Sequence, residues 1–225
     1  MNQDHPPLPQ AAELTRKQIR ALKRRGRNYL WAHPLDALRI ARLRKCYEGI
    51  QLKTAELIRI AHAIEEREGC HMLVFGMGND SPFWEEINKK GRTVFLEDFQ
   101  PWFNKISHRF PDIEAYPIAY PCNITQWEEG LDHPPMLALD LPPEVAERTW
   151  DVILVDGPRG HQFRDDIPGR MSSIYMASTL VAPGGMVFVH DAERRIEERY
   201  ADRFLGRDRL AYLIRGRAHL KAYRF

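Results

Sequence analysis

The feature that most constrains this chain is a series of short apolar runs between Met72 and Val189 that do not alternate with polar residues. They are "MLVFG" (72–76), "RTVFLE" (92–97), "EAYPIAY" (114–120), "WDVILVD" (150–156) and "GGMVFVHD" (184–191), rich in Val, Ile, Leu and Phe. A strand that is apolar on both faces has to be covered on both faces, which is the situation of a parallel sheet flanked by helices. The stretches between the runs read as helices or loops. The last segment, "RLAYLIRGRAHLKAYRF" (209–225), reads as two strands joined at Arg215-Gly216, a hairpin that ends the chain. The expectation is an α/β protein with a Rossmann-like, mostly parallel sheet and a C-terminal antiparallel hairpin strand. In such sheets ligands bind beyond the carboxyl ends of the strands, near the switch in strand order.

Ahead of the sheet lie three helical segments, "AAELTRKQIRALKRR", "PLDALRIARLRKCYEGI" and "KTAELIRIAHAIEERE". In the third, Leu57, Ile60, Ala61 and Ile64 form one apolar stripe at helical spacing. The chain divides into a basic helical extension, residues 1–50, with a polar, Pro-rich and disordered start, and a sheet domain, residues 51–225. The net charge of +2 hides the contrast between them. Residues 1–60 carry 13 Lys/Arg against 5 Asp/Glu, an excess of +8, so the remainder is −6. The excess centres on Arg16 to Arg27, either a solvated helix face or a landing surface for an anionic polymer or a membrane surface. No aromatic residues interleave it as base stacking needs, so nucleic acid is not the expected partner. No run reaches the ~18–20 apolar residues of a membrane span. Cys46, Cys70 and Cys122 stand singly; with no export signal, this fits a reducing cytoplasm and no structural zinc site.

The first apolar run enters the turn "GMGND", with Gly76 and Gly78. The dinucleotide fingerprint needs a third glycine, and here that position is Ser81. Ser81 is a plausible N-cap with Pro82 at the first helical position. The alternative ligand is S-adenosylmethionine. Its amino-acid end is zwitterionic, so the glycines admit close backbone approach and Asp80 can receive the ammonium. Glu97 ends the next strand, with Asp98 after it, where an acid accepts from ribose hydroxyls. That acid serves either cofactor, so the later strands have to decide.

Two of those strands end in acids, Asp156 and Asp191, the second preceded by His190. Neighbouring strands lie ~4.8 Å apart, so both carboxylates can converge on one point. Converging carboxylates repel unless one holds a proton or a cation sits between them. Oxygen ligands with an imidazole suit Mg²⁺, Mn²⁺ or Co²⁺, which would lower the pKa of an acceptor hydroxyl. Against His190 as a ligand stands strand alternation, which turns neighbours to opposite faces. Without a metal, one carboxylate serves as general base, with His161 as the alternative. Asp156 before Gly157-Pro158 also reads as a turn cap.

The blocks "LVFGMGNDSPFW", "KGRTVFLED", "WDVILVDGPRGH", "PGRMSSIYMA" and "VFVHDAERRIEERYADRFL", spread over roughly residues 50–215, resemble the polysaccharide-biosynthesis family that includes glucuronoxylan 4-O-methyltransferases. The resemblance implies a methyltransferase of Rossmann-like fold. It implies methyl transfer from S-adenosylmethionine to the 4-hydroxyl of glucuronic acid in a saccharide acceptor, with a divalent cation. It places Gly76, Gly78, Asp80 and Glu97 on the cofactor side and Asp156, Arg159, His161, Arg170 and Asp191 on the acceptor side. A uronate carboxylate is best read by a planar bidentate partner, for which Arg159 and Arg170 are the candidates. Asp165 and Asp166 could instead pair with them. The segment from Gly157 to Gly169 is a candidate loop over the acceptor. Two departures bear on the acceptor: a basic extension stands where plant members have a membrane anchor, and Gly157-Pro158-Arg159-Gly160 replaces their usual Ala-Pro-Thr-Gly. The rivals are a small-molecule O-methyltransferase of the same fold and a noncatalytic module binding acidic glycan.

Overall fold

The computed structural model describes residues 15–32, 34–215 and 218–225. The Pro-rich start and the Gly216 turn therefore lie outside the described residues. Seven strands form one sheet: β1 (His71–Phe75), β2 (Arg92–Glu97), β3 (Ala115–Pro117), β4 (Trp150–Val155), β5 (Val181–Val189), β6 (Leu210–Arg215) and β7 (His219–Arg224). Their order is β3-β2-β1-β4-β5-β7-β6. β1 to β5 run parallel, while β7 enters antiparallel between β5 and β6. This is the expected Rossmann-like sheet with its antiparallel hairpin. The order reverses between β1 and β4, so their carboxyl ends open the crevice in which ligands bind in such sheets.

The strands are apolar throughout because each face has its own core. Leu73, Phe75, Val94, Leu96, Ile153, Val155, Val187 and Val189 enter one core, with Met171 and Ile174 of the helix behind it. Met72, Val74, Phe95, Val152, Leu154, Met186 and Phe188 enter the other, with Leu57, Ile60 and Ile64. Alternate residues thus face opposite cores along each strand.

Nine α-helices complete the described chain: α1 (Arg16–Ala32), α2 (Pro34–Arg44), α3 (Thr54–Glu65), α4 (Ser81–Ile87), α5 (Gln100–Arg109), α6 (Trp127–Asp132), α7 (Pro143–Ala146), α8 (Met171–Leu180) and α9 (Arg195–Tyr200). α9 runs on into a π-helical turn, Ala201–Gly206. None of the described helices is long and apolar enough to cross a membrane. α3 opens with the Lys53 N–H donating to Glu56 Oε2 at 2.6 Å, which satisfies an otherwise orphaned amide of the helix start. α1 lies against β6, and its Leu22 is buried in the first core. α4 starts one residue earlier than its expected cap implies. Asp80 is the N-cap, Ser81 the first helical residue, and Ser81 Oγ accepts from the Gly78 N–H at 2.9 Å.

Candidate functional site

One cavity of about 580 Å³ opens at the strand tips, and every candidate residue borders it. Its floor is the crossing of two loops. Gly76 has φ 106°, and a Cβ there would stand 2.9 Å from the Gly157 nitrogen; a Cβ on Gly157 would stand 2.7 Å from Gly76 Cα. Only glycine allows the turns after β1 and β4 to pass this closely. The peptide bond between Gly157 and Pro158 is cis.

At the end of the cavity below the tips of β1 and β2, the amides of Gly76, Met77 and Gly78 are all engaged within the fold. The Gly76 N–H goes to Leu96 O at 2.7 Å, that of Met77 to Glu97 Oε2 at 2.9 Å, and that of Gly78 to Ser81 Oγ. Glu97 Oε1 accepts from the Phe99 N–H at 3.0 Å. Burial pushes the Glu97 carboxyl up, against the pull of these two amides. Each of its oxygens accepts one of these amides, the Asp98 N–H also acts on the carboxylate, and lone-pair capacity remains. Asp80 does not cap α4 with its side chain; its Oδ2 accepts from Trp84 Nε1 at 3.0 Å. Burial, and then the charge of Asp156, push Asp80 up to about 6. Burial also raises Asp98, opposed by its backbone hydrogen bond and by Arg159. Three carboxyl groups therefore face this end of the cavity. Trp102 walls it, its indole N–H donating to Met77 O at 2.5 Å.

The other end is a knot of charges. His190 Nδ1 lies 2.9 Å from Asp156 Oδ1 and 3.8 Å from Asp191 Oδ2. The alternation argument against His190 does not hold here. β5 ends at Val189, and Asp191 takes φ 57°, the one positive φ outside glycine among the described residues. That left-handed turn brings both neighbours to one side, and Asp tolerates it better than most residues. One ligand atom each from Asp156, His190 and Asp191 lies within 4.8 Å of the others. Burial works against the Asp156 charge, but the His190 hydrogen bond and Arg170 outweigh it and hold this carboxyl low. Burial likewise works against the His190 charge, and Asp156 and Asp191 outweigh it and raise the imidazole. Behind the ring, Nε2 is 4.0 Å from Glu56 Oε2.

Arg170 has a different place from the one its sequence context implies. It is buried under the strand ends, with Nε donating to Pro158 O (3.2 Å), Nη1 to His190 O (2.5 Å) and Nη2 to Asp156 O (2.7 Å). Nη2 also lies 3.2 Å from Asp156 Oδ1 and 3.0 Å from Asp191 Oδ2. A guanidinium so engaged organises the site and is not free to read an acceptor carboxylate. Arg159 is exposed at the rim, 5.0 Å above the Phe99 ring, and His161 is exposed beside it. Asp166 pairs with Arg164, not with Arg159 or Arg170. The loop carrying them is pinned where the Ile124 N–H donates to Ile167 O at 2.7 Å.

Two segments of the chain, residues 55–136 and 133–223, match the family model described as IRX15/IRX15L/GXM. The chain belongs to this family. Among curated relatives, it is 35% identical over 171 residues to glucuronoxylan 4-O-methyltransferase 1 of Arabidopsis thaliana, covering 67% of this chain and 60% of that one. It is 29% identical over 181 residues to arabinogalactan O-methyltransferase 1 of the same plant, covering 70% and 62%. The chain thus spans less than two thirds of these relatives' length. Among solved structures, a precorrin-6y C5,15-methyltransferase from Geobacter metallireducens aligns with 14% identity and a TM-score of 0.49, over 79% of this chain and 92% of that one.

Residues that sequence reasoning missed also shape the site of this IRX15/IRX15L/GXM member. Arg194 lines the cavity, 2.7 Å from Asp191 Oδ2 and 3.6 Å from the buried Glu197. Its signal was an acid followed three residues later by arginine at a helix start, one turn apart. Glu56 reads from sequence only as the third residue of α3. Trp102 gave no signal, because its reach to Met77 depends on how α5 packs.

Proposed function

We propose that this chain is an S-adenosylmethionine-dependent O-methyltransferase acting on the 4-hydroxyl of a glucuronic acid residue in a saccharide. The observation that carries the reading is the chemical division of the strand-tip cavity. A pyrophosphate would meet Asp80, Glu97 and Asp98 at a turn where the Gly76, Met77 and Gly78 amides are already engaged. The cationic sulfonium and ammonium of S-adenosylmethionine meet carboxylates of the right sign there. The names of the glucuronoxylan relatives supply the acceptor class.

In this reading Asp80 receives the ammonium and Glu97 accepts from the ribose hydroxyls through its spare lone pairs. Arg159, facing the rim, reads the uronate carboxylate. The acceptor oxygen attacks in line with the carbon–sulfur bond, which requires close, aligned placement. The carbon–sulfur bond breaks, its electron pair stays on sulfur, and the new carbon–oxygen bond makes the hydroxyl proton strongly acidic. A weak base then suffices, and Asp156 offers it through Oδ2, the oxygen not engaged by His190 or Arg170. His161 passes the proton to solvent.

The donor set of Asp156, His190 and Asp191 fits a divalent ion in type and spacing. Such an ion would supply Lewis-acid polarisation of the hydroxyl. It would share these carboxylates with Arg170.

The test is to incubate the protein with methyl-labelled donor and a panel of acceptors: glucuronic-acid-bearing xylo-oligosaccharides, acidic arabinogalactan oligosaccharides and a catechol. The panel is run with and without chelator. Label on O4 of glucuronate is expected, at a rate that chelator lowers. Label on the catechol alone would overturn the acceptor, and absence of heat on adding S-adenosylmethionine would overturn the whole reading.

A further inference from the structure

The segment that follows Asp191 is dense in both charges, "DAERRIEERYADRFLGRDR". Most of its acids are accounted for by contacts in the fold. Asp191 holds Arg170 and Arg194, and Glu193 accepts from the His219 N–H at 2.7 Å. Glu197 is buried beside Arg194. Glu198 pairs with Lys221 at 2.7 Å, and Asp202 with Arg207 at 2.6 Å.

Four exposed arginines remain outside this pairing, Arg195, Arg199, Arg203 and, beyond the helix, Arg209 over the Phe225 ring; the first three form a row. They recur every fourth residue along α9 and the π-helical turn that continues it, a spacing that keeps them on one side of the helix. At ~1.5 Å rise per residue the row is ~12 Å long. Each guanidinium lies over an aromatic ring and not beside a carboxylate. Arg195 and Arg199 sit 5.2 and 5.9 Å from the Trp127 centroid, and Arg203 sits 5.8 Å from that of Phe204. An arginine resting on a ring is pre-ordered while its N–H edge stays open to an anion. The row also begins one residue after Arg194, which lines the cavity.

We propose that Arg195, Arg199 and Arg203 form an extended subsite for a linear carboxylate-bearing saccharide, running away from the cavity along α9. The proposal rests on the uronate-acceptor reading for its placement beside the methyl-transfer site. The geometry is that of a line of fixed positive charges, which matches a linear polyanion better than a single small acceptor. Stacked nucleotide bases would need free aromatic faces, and here Trp127 and Phe204 already carry guanidinium groups. A saccharide whose acidic units lie along the row gains charge-assisted hydrogen bonds that a single glucuronate in the cavity does not reach.

The experiment compares the intact protein with a triple variant, Arg195→Gln, Arg199→Gln and Arg203→Gln. Both are loaded with S-adenosylhomocysteine and titrated by calorimetry with a hexameric oligouronate, with glucuronic acid, and with an RNA hexamer. A thermal melt checks that the variant is folded, and a triple Lys variant retains the charge. The expected result is a loss of about tenfold or more in hexamer affinity in the Gln variant, with glucuronic acid binding unchanged and partial recovery in the Lys variant. In turnover, KM for the oligouronate rises while kcat holds. Equal hexamer affinity in the two proteins would overturn the subsite, as would RNA binding at least as tight as the oligouronate. Should no uronate accept methyl from the wild-type protein, the methyltransferase reading fails, while the binding comparison still decides the arginine row.

Discussion

Asp80 is where burial and ligand charge oppose each other most directly. Its carboxyl is pushed up to about 6, chiefly by burial and then by Asp156. In the proposed reading the cofactor's ammonium binds the ionised form, so whatever fraction of Asp80 is protonated has to lose its proton before binding. Below that pKa the ionised fraction falls with pH, and affinity for S-adenosylhomocysteine should fall roughly tenfold between about pH 7 and pH 5. Calorimetry at the two pH values checks this; Asp80→Asn should bind more weakly at neutral pH and lose the slope. Arg170 makes the second prediction at this scale. It bridges Asp156 and Asp191 from a buried position. Removing one partner of a buried ionic cluster leaves the others uncompensated, so Arg170→Ala should cost about 3–5 kcal/mol in urea denaturation. Arg170→Lys should not restore it, because one ammonium cannot reach the three carbonyls and two carboxylates served by the planar fork. An unchanged melt with only a raised KM would return Arg170 to the role of carboxylate reader.

The strand-tip loops depend on two glycine backbones passing in contact. Alanine at Gly76 would meet the Gly157 backbone, and it would also have to hold φ 106°. Neither neighbour is a side chain that can swing away, so Gly76→Ala should destabilise the protein by about 1–3 kcal/mol and weaken cofactor binding with it. Full stability in a urea titration would mean that the loops do not cross as described. This crossing also marks the limit of what the sequence reveals. The strands of the parallel sheet are legible because β1, β2, β4 and β5 are apolar toward both cores. β3 is shorter than the run from Glu114 to Tyr120 suggests, its last residue being Pro117, which has no N–H to give to a ladder. β5 starts earlier than its apolar run, at Val181, and carries Pro183-Gly184-Gly185 as part of the strand, with a register shift on its partner β4. The acids at the strand tips were legible as strand ends. The side from which His190 acts was not, because it is set by the left-handed turn at Asp191. Nor was the burial of Arg170, since nothing in "IPGR" says that the loop folds back beneath the strands.

At the scale of the whole molecule the sheet has two edges, and each is closed differently. β3 limits its edge by being three residues long and ending in proline, a common way of leaving little backbone for another chain to pair with. β6 is six residues long and would present a full ladder, but α1 lies along it with Leu22 buried in the core. The helix that carries the basic cluster therefore has a packing role on one side, whatever its charged side meets. The end of the cavity that carries Asp80, Glu97 and Asp98 lies at the tips of β1 and β2, away from the β6 edge in the strand order. Leu22→Ala should cost about 2–3 kcal/mol, toward the low end for a buried leucine because the helix sits at the surface. Leu22→Asp should go further, freeing the β6 edge and producing association that grows with protein concentration. In both variants the affinity for S-adenosylhomocysteine should stay within about twofold of wild type, since one pocket's strength is insensitive to a distant, independent site. Denaturation and sedimentation velocity, read beside calorimetry, separate the cases. If stability is unchanged in Leu22→Asp, α1 is not a cover for β6. If S-adenosylhomocysteine affinity falls in step with stability, the extension and the strand tips form one cooperative unit, and the basic helix would then belong to the sheet domain it covers.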